Sequence, residues 1–302
     1  MNSLQDNIKV AIVQHACSND VNANNKIIYD SISVAARKNV DLVLLQELHS
    51  HIYFCQQQDQ TAFELASSIP NENTNELCRL ARRYKLVIIT SVFEKRAKGL
   101  YHNTAIVIDK SGDIAGMYRK THIPNDPGYY EKYYFSPGDA ALKPIDTSIG
   151  KLGLMICWDQ WFPEAARLMA LAGADILLYP TAIGWDPTDT VAEQQRQIDA
   201  WVTIQRSHAI ANLIPVVVCN RVGFEPDSSG MTKGIHFWGS SFMTDSMGSI
   251  LTMAQQTPDK CGASVHTAEI NFAETEKQRR VWPFLRDRRT DLYSDIVLRY
   301  RD

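Results

Sequence analysis

The chain is short of several things, and each shortage narrows what it can be. It has almost no net charge: 31 Lys and Arg stand against 34 Asp and Glu in 302 residues, a formal balance of −3. Broad nucleic-acid binding needs a basic footprint, so this balance argues against it, though not against a local patch. None of the six cysteines, at 17, 55, 78, 157, 219 and 261, falls in a C-x-x-C or another zinc-like spacing. The opening MNSLQDNIKV lacks the long apolar core of a secretory signal. Reduced thiols in a cytoplasmic protein are therefore expected rather than a disulfide framework. Apolar runs such as KLGLMICW and ADILLYPTAI stop well short of the ~18–20 residues a membrane span needs, so no membrane partner is expected. There is no internal repeat, low-complexity tract or Gly/Ser/Pro-rich linker, and the simplest expectation is one domain over residues 1–302. The GSS at 239–241 matches neither the Walker pattern nor a dinucleotide fingerprint, which discards nucleotide binding.

What the chain does have is the makings of a large core, with 45% hydrophobic and 22% charged residues. Strand-like and helix-like segments alternate through most of its length. IKVAIV (8–13) is rich in β-branched residues, and 22–38 follows with Ile28, Ile32 and Ala35 at helical spacing. DLVLLQE is an unalternating apolar run that suits a strand covered on both faces. A helix is expected over 73–84 and a strand over 86–93. HNTAIVID and IAGMYRK flank the turn signal Lys110-Ser111-Gly112-Asp113 as a hairpin. KLGLMIC (151–157) reads as a strand running into a helix over 161–171, whose entry is marked by Pro163. DILLYP and IPVVVC are strands around a long helix at 190–212, with Ile198, Trp201, Val202 and Ala209 along one side. HFWGSSFMT and ASVHTAEI are read as later strands, with SMGSIL completing a hairpin. The hairpins make the sheets mixed, so a layered α/β fold is expected rather than a doubly wound parallel sheet.

Three residues are candidates for chemistry, and each alone has a bland explanation. Cys157 closes a strand before WDQWFPEAARL. A nucleophile at a strand-to-helix turn is held rigid and exposed, with the helix's positive end nearby to favour a thiolate. Free cysteine is also among the most buried residue types, which makes a core role an even alternative. Glu47 ends DLVLLQE, where a buried carboxylate is expensive unless paired or used; simple exposure at a strand tip explains it equally. Lys120 ends IAGMYRK, and a solitary Lys there is most often solvated. Together they make a coherent set. A thiol nucleophile needs a base and a group to hold the developing oxyanion, and Glu47 and Lys120 are suited to those two parts.

LLQE around Glu47, YRKTHIP around Lys120 and GLMICWDQWFPEAAR around Cys157 resemble, in order, the three signature blocks of the nitrilase (carbon–nitrogen hydrolase) superfamily. The resemblance extends from the first strand to the tail. It implies a four-layer α-β-β-α sandwich with mixed sheets, a Glu47–Lys120–Cys157 triad, and neither a metal nor an organic cofactor. It also implies a second carboxylate near the lysine block, a place filled by Glu131 in GYYEKYYFSPG, and an oxyanion donor in the backbone N–H of Trp158. The wording ELHSHIYFCQ, KTHIPNDPGYYEKYYFSPGD, CWDQWFPE and YPTAIGW is similar to the branch that hydrolyses N-carbamoylputrescine in polyamine synthesis.

The nearest competing branch hydrolyses N-carbamoyl amino acids and carries two arginines after the nucleophile to bind the substrate carboxylate. Here that stretch is Asp159-Gln160-Trp161. A carboxylate substrate wants a bidentate guanidinium; a cationic aminoalkyl tail wants carboxylates and aromatic faces. The segments that line the family's pocket offer Tyr53, Trp161, Trp185 and Asp186, though an Asp before Pro187 is usually a turn residue. The expected substrate is thus a small carbamoyl or amide compound. An ω-amide, a nitrile or a β-ureidopropionate-type substrate stays as an alternative, as does a catalytically silent scaffold. His49-x-His51 lacks a third ligand at suitable spacing and is read as loop or packing. The basic–aromatic run KQRRVWPFLRDRR (277–289) is read as an interface segment rather than a nucleic-acid or membrane site. By the same resemblance, about 275–302 forms a dimer-interface arm of a homo-oligomer built from dimers.

Overall fold

The computed structural model describes residues 6–257 and 262–302, so Cys261 lies outside the described residues. Two six-stranded mixed sheets form the centre. The first runs Ala263–Asn271, Asn7–His15, Leu42–Leu45, Val87–Ala97, Leu100–Ile108, Ile114–Arg119 from edge to edge. The second runs Ile250–Met253, Phe242–Thr244, Val216–Cys219, Ile176–Pro180, Gly150–Leu154, Ile145–Thr147. Parallel pairing at the middle of each sheet gives way to antiparallel pairing at the edges.

Period-two alternation decides which side chain goes to which layer. Val10 and Ile12, with Leu42, Leu44, Val87 and Ile89, face the second sheet and join its Leu154, Leu178 and Val218 in one core. The intervening Ala11, Val13, Val43, Leu45 and Ile88 face outward and meet Ile28, Ile32, Leu77 and Ala81 of the helices Val21–Arg37 and Glu72–Tyr84. This is why DLVLLQE carries no alternation: both faces of Leu42–Leu45 are buried. The helices Pro163–Leu171 and Val191–Asn212 cover the other sheet through Ala165, Met169, Ile198 and Trp201. The result is the four-layer α-β-β-α sandwich.

Local chemistry sets the helix starts. Asp20 caps one helix by accepting from the Ala23 N–H. Asn71 and Thr74 form a reciprocal capping box on the next, and Thr190 accepts from the Glu193 N–H at the longest.

Two expectations fail here. HFWGSSFMT is not one strand. Ile235–Trp238 pairs with Val222–Glu225 and Gly184–Trp185 in a separate three-stranded sheet, while Phe242–Thr244 belongs to the second large sheet. Gly239 and Ser240 both have positive φ, 58° and 54°. A Cβ at Gly239 would stand 2.7 Å from the Gln255 carbonyl oxygen, so only glycine lets the chain turn between sheets there. The helix after Cys157 is also shorter at its start: a 3₁₀ turn, Cys157–Trp161, precedes the α-helix, which begins at Pro163.

Candidate active site

The strands Leu42–Leu45, Ile114–Arg119 and Gly150–Leu154 end at the same region, and the first residues beyond them carry the candidate groups. Glu47, Lys120 and Glu131 are fully buried. The Lys120 Nζ donates to Glu47 Oε1 at 2.8 Å and to both oxygens of Glu131 at 2.8 and 2.7 Å. Glu47 is therefore not the exposed strand-tip residue, nor Lys120 the solvated one, that each would be if read singly. Asn103, from Leu100–Ile108, donates to the same Glu47 Oε1 at 2.6 Å. Glu47 Oε2 is buried with no hydrogen-bond partner among the described residues, which leaves one oxygen of this carboxylate uncommitted by them.

Two carboxylates around one ammonium shape the local electrostatics. Burial works against the Lys120 ammonium, but Glu131 and Glu47 outweigh it and hold its pKa well above the usual lysine range. Burial raises the Glu131 carboxyl to about 7; Lys120 opposes this and the Glu47 charge adds to it.

Cys157 departs from expectation. It is 4% exposed, and burial, reinforced by Glu47, pushes its thiol well above the ordinary range, with Lys120 acting the other way. A resting thiol follows, not an exposed thiolate: Cys157 opens a buried 3₁₀ turn, and the α-helix begins only at Pro163. The residue has a φ of 43°, a left-handed conformation that costs a non-glycine residue about 1–2 kcal/mol. Its Sγ lies 3.7 Å from the Ala182 carbonyl oxygen.

Asp159 holds this strained turn in place. Its carboxylate accepts from the Ile156 N–H at 2.9 Å and the Tyr118 hydroxyl at 2.8 Å. The other oxygen accepts from the His122 N–H at 2.9 Å and lies 2.7 Å from His122 Nδ1. One buried side chain so ties the cysteine turn to the loop after Lys120. Gln160, also fully buried, accepts from Gln205 at 2.6 Å.

A cavity of about 420 Å³ opens beside Cys157. Trp158, Trp161, Trp185, Trp238 and Tyr129 line it, with Asp126, Asp186 and Asp189. Trp161, Trp185 and Asp186 therefore line it, and Asp186 also accepts from Thr188 in a turn. Tyr53 does not line it. It is 1% exposed, is absent from the cavity lining, and its hydroxyl donates to Glu131 at 2.7 Å. The pocket wall expected of Tyr53 is supplied instead by Tyr129, whose hydroxyl bonds both the N–H and C=O of Gly184. A second cavity of about 430 Å³, near the starts of the helices Val21–Arg37 and Glu72–Tyr84, contains none of Cys157, Lys120 or Glu131 and is not the reaction site. His49 is buried, with Nε2 2.6 Å from the Thr90 hydroxyl.

A four-layer sandwich with a buried Glu–Lys–Glu cluster beside a strained cysteine defines a class of hydrolases acting on carbon–nitrogen bonds other than peptide bonds. The sequence model of the carbon–nitrogen hydrolase family matches residues 9–280, and the chain belongs to that family, the nitrilase superfamily. It is 42% identical to a citrullinase of Francisella tularensis over 97% of this chain and 99% of that one. It is 39% identical to the N-carbamoylputrescine amidase of Solanum lycopersicum, over 96% of this chain and 95% of the relative. A solved carbon–nitrogen hydrolase from Helicobacter pylori G27 superposes with a TM-score of 0.94 at 49% identity, covering 98% of this chain and 100% of its own.

Proposed function

We propose that this C–N hydrolase acts on a ureido group carried by a short aliphatic chain with a cationic end, N-carbamoylputrescine being the preferred substrate. The observation that supports it is the charge of the cavity lining. That lining holds three acidic residues, Asp126, Asp186 and Asp189, and one guanidinium, Arg196, which is paired with Glu193 at 2.8 and 2.7 Å. Aromatic faces add cation–π attraction for an ammonium. The stretch where N-carbamoyl amino acid hydrolases would carry arginines is Asp159-Gln160-Trp161 here, with Asp159 and Gln160 fully buried and hydrogen-bonded and Trp161 lining the cavity.

In this reading Glu47 takes the Cys157 thiol proton as sulfur attacks the carbamoyl carbon. Lys120 and the Trp158 N–H hold the oxyanion, each such donor contributing ~3–4 kcal/mol to the transition state. The C–NH₂ bond breaks, Glu47 returns the proton, and ammonia leaves. Cys157 is left with an N-alkyl thiocarbamate. Water, deprotonated by Glu47 and oriented by Glu131, then attacks the same carbon. The thiol is restored, and the released carbamate decarboxylates to putrescine and carbon dioxide.

A steady-state comparison of N-carbamoylputrescine, citrulline, N-carbamoyl-β-alanine and simple ω-amides tests the substrate. N-carbamoylputrescine should have the highest kcat/KM by at least about tenfold, the value of one desolvated charge contact of ~1.4 kcal/mol. The relative named citrullinase supports citrulline as the second reading, since it too is a ureido group on an aliphatic chain. Faster turnover of citrulline would reverse the order, and faster N-carbamoyl-β-alanine would refute both.

The Glu131 carboxyl gives the reaction a pH signature. Its charged form would accept the substrate N–H, so kcat/KM should fall about tenfold per unit below about pH 7. The limb should vanish in Glu131→Gln, at lower overall activity; its persistence there would assign it to another group. The stability sign is opposite. A carboxyl raised from 4.5 to about 7 contributes fully below pH 4.5, and that contribution is lost as pH rises through about 7.

The tail supports self-association. Val281, Leu292, Ile296, Val297, Leu298 and Tyr300 are all exposed, an apolar stretch that a second copy would cover. Residues from about 275 onward would then form a dimer arm, and the free cysteines among the described residues fit a cytoplasmic setting. Sedimentation velocity should show dimers or larger assemblies, and deletion of 282–302 should shift them toward monomer. A monomeric full-length chain would remove this part of the reading.

A further inference from the structure

Arg221 is fully buried and takes no part in the chemistry above. It stands at the joint between Val216–Cys219 of the second large sheet and Val222–Glu225 of the small one. Its guanidinium points back across the molecule to the turn that carries Glu47. The Nη2 group donates to the carbonyl oxygens of Glu47 at 3.1 Å and Leu48 at 2.9 Å. The Nη1 group donates to the His51 carbonyl at 2.8 Å and to Glu225 Oε1 at 2.7 Å. Three consecutive-turn carbonyls thus converge on one cation, in a turn where Leu48 has a φ of 48°.

The same ion pair reaches the second carboxylate. Glu225 Oε2 accepts from the Tyr53 N–H at 2.6 Å, and the Tyr53 hydroxyl donates to Glu131 at 2.7 Å. The guanidinium carbon sits 5.3 Å from the Phe237 ring centroid and 6.0 Å from that of Tyr53. A planar fork with fixed donors fits such divergent acceptors; a lysine ammonium carries the charge but not the reach.

From this geometry we infer that Arg221, with Glu225, is a positioning residue for the proposed reaction, setting the Glu47 and Glu131 carboxylates about Lys120 through one clamp. The arrangement does in a second layer what proton transfer requires in the first, because a base displaced by ~1 Å loses about 10²-fold in rate. Arg221 touches no reacting atom and adds no step. The inference rests on the reading of Glu47 as base, but not on the identity of the substrate.

The test uses whichever carbamoyl or amide compound the wild type turns over fastest, so a wrong substrate assignment leaves it intact. The folded fraction of each variant is measured by circular dichroism and used to correct the active-site concentration. Arg221→Lys should lower kcat per active site by about 10–100-fold with KM within about twofold, because misplacement harms the transition state and not the ground-state complex. Glu225→Gln keeps an acceptor for the Tyr53 N–H but loses the ion pair, and should give a smaller fall, about 3–10-fold, of the same kind. If Arg221→Lys does not fold, Glu225→Gln decides alone. Wild-type kcat per active site in the folded variants, whatever their melting temperatures, would overturn the inference, as would a loss confined to KM.

Discussion

Lys120→Met is expected to lose both activity and stability, and to do so by separable amounts. The side chain is fully buried between two carboxylates with three short contacts. Removing one partner of a buried ion pair leaves uncompensated charge and costs about 3–5 kcal/mol. Part of this returns when Glu131 or Glu47 takes up a proton, so the stability loss should grow with pH. The activity loss, about 10²–10³-fold in kcat, reflects the missing oxyanion donor. The double variant Lys120→Met with Glu131→Gln removes one charge of each sign. It should recover about half of the lost unfolding free energy while recovering no activity, a non-additivity expected of groups in one network. Urea unfolding at pH 6 and pH 8, beside steady-state kinetics, separates the two effects. A Lys120→Met protein with near wild-type kcat would rule Lys120 out as the oxyanion partner.

The second large effect is expected at Cys157. With the nucleophile gone, Cys157→Ala should lose about 10⁶-fold in kcat, the scale seen when a covalent mechanism loses its attacking group. Its unfolding free energy should change by only about 1 kcal/mol, because the side chain is small and its hydrogen bond, to the Ala182 carbonyl, is long at 3.7 Å. Cys157→Gly is the informative companion. A φ of 43° is strained for any side chain but free for glycine, so this variant should be at least as stable as Cys157→Ala while equally inactive. A less stable glycine variant would mean that the turn is not strained as the backbone angle implies.

How far the site was legible in the sequence depends on the distance over which each residue acts. Glu47, Lys120 and Cys157 each stand in a local block just past a strand end, and three such blocks in order carry a joint signal that none carries alone. Trp161, Trp185 and Asp186 could be placed near the pocket for the same reason. Burial of Cys157 could not, because whether a strand-to-helix turn is open depends on what packs over it. Here the Gly184–Trp185 and Ile235–Trp238 strands form a small sheet whose pairing joins segments far apart in sequence.

The partner of Tyr53 was hidden for a related cause. The aromatic character of Tyr53 suggested a pocket wall, whereas its hydroxyl is committed to Glu131, 78 residues away. Asp159 and Arg221 were missed altogether as groups that hold the site. A buried Asp collecting donors from three segments, or an Arg collecting carbonyls from a distant turn, has no periodicity or spacing to betray it. In the layers the sequence was more informative: the unalternating apolar run Leu42–Leu45 follows directly from both of its faces being covered. The break in HFWGSSFMT had a visible marker, the Gly239–Ser240 pair, which composition alone read as strand interior.

The central claim is that a buried, neutral Cys157 becomes covalently carbamoylated with help from Glu47 and Lys120. Intact-mass spectrometry of wild-type protein, acid-quenched during turnover of N-carbamoylputrescine, tests it most directly. The account predicts a species heavier than the enzyme by the substrate mass less ammonia, mapped by peptide digestion to Cys157 and absent from Cys157→Ala. Turnover by Cys157→Ala, or an adduct on any other residue, would contradict it.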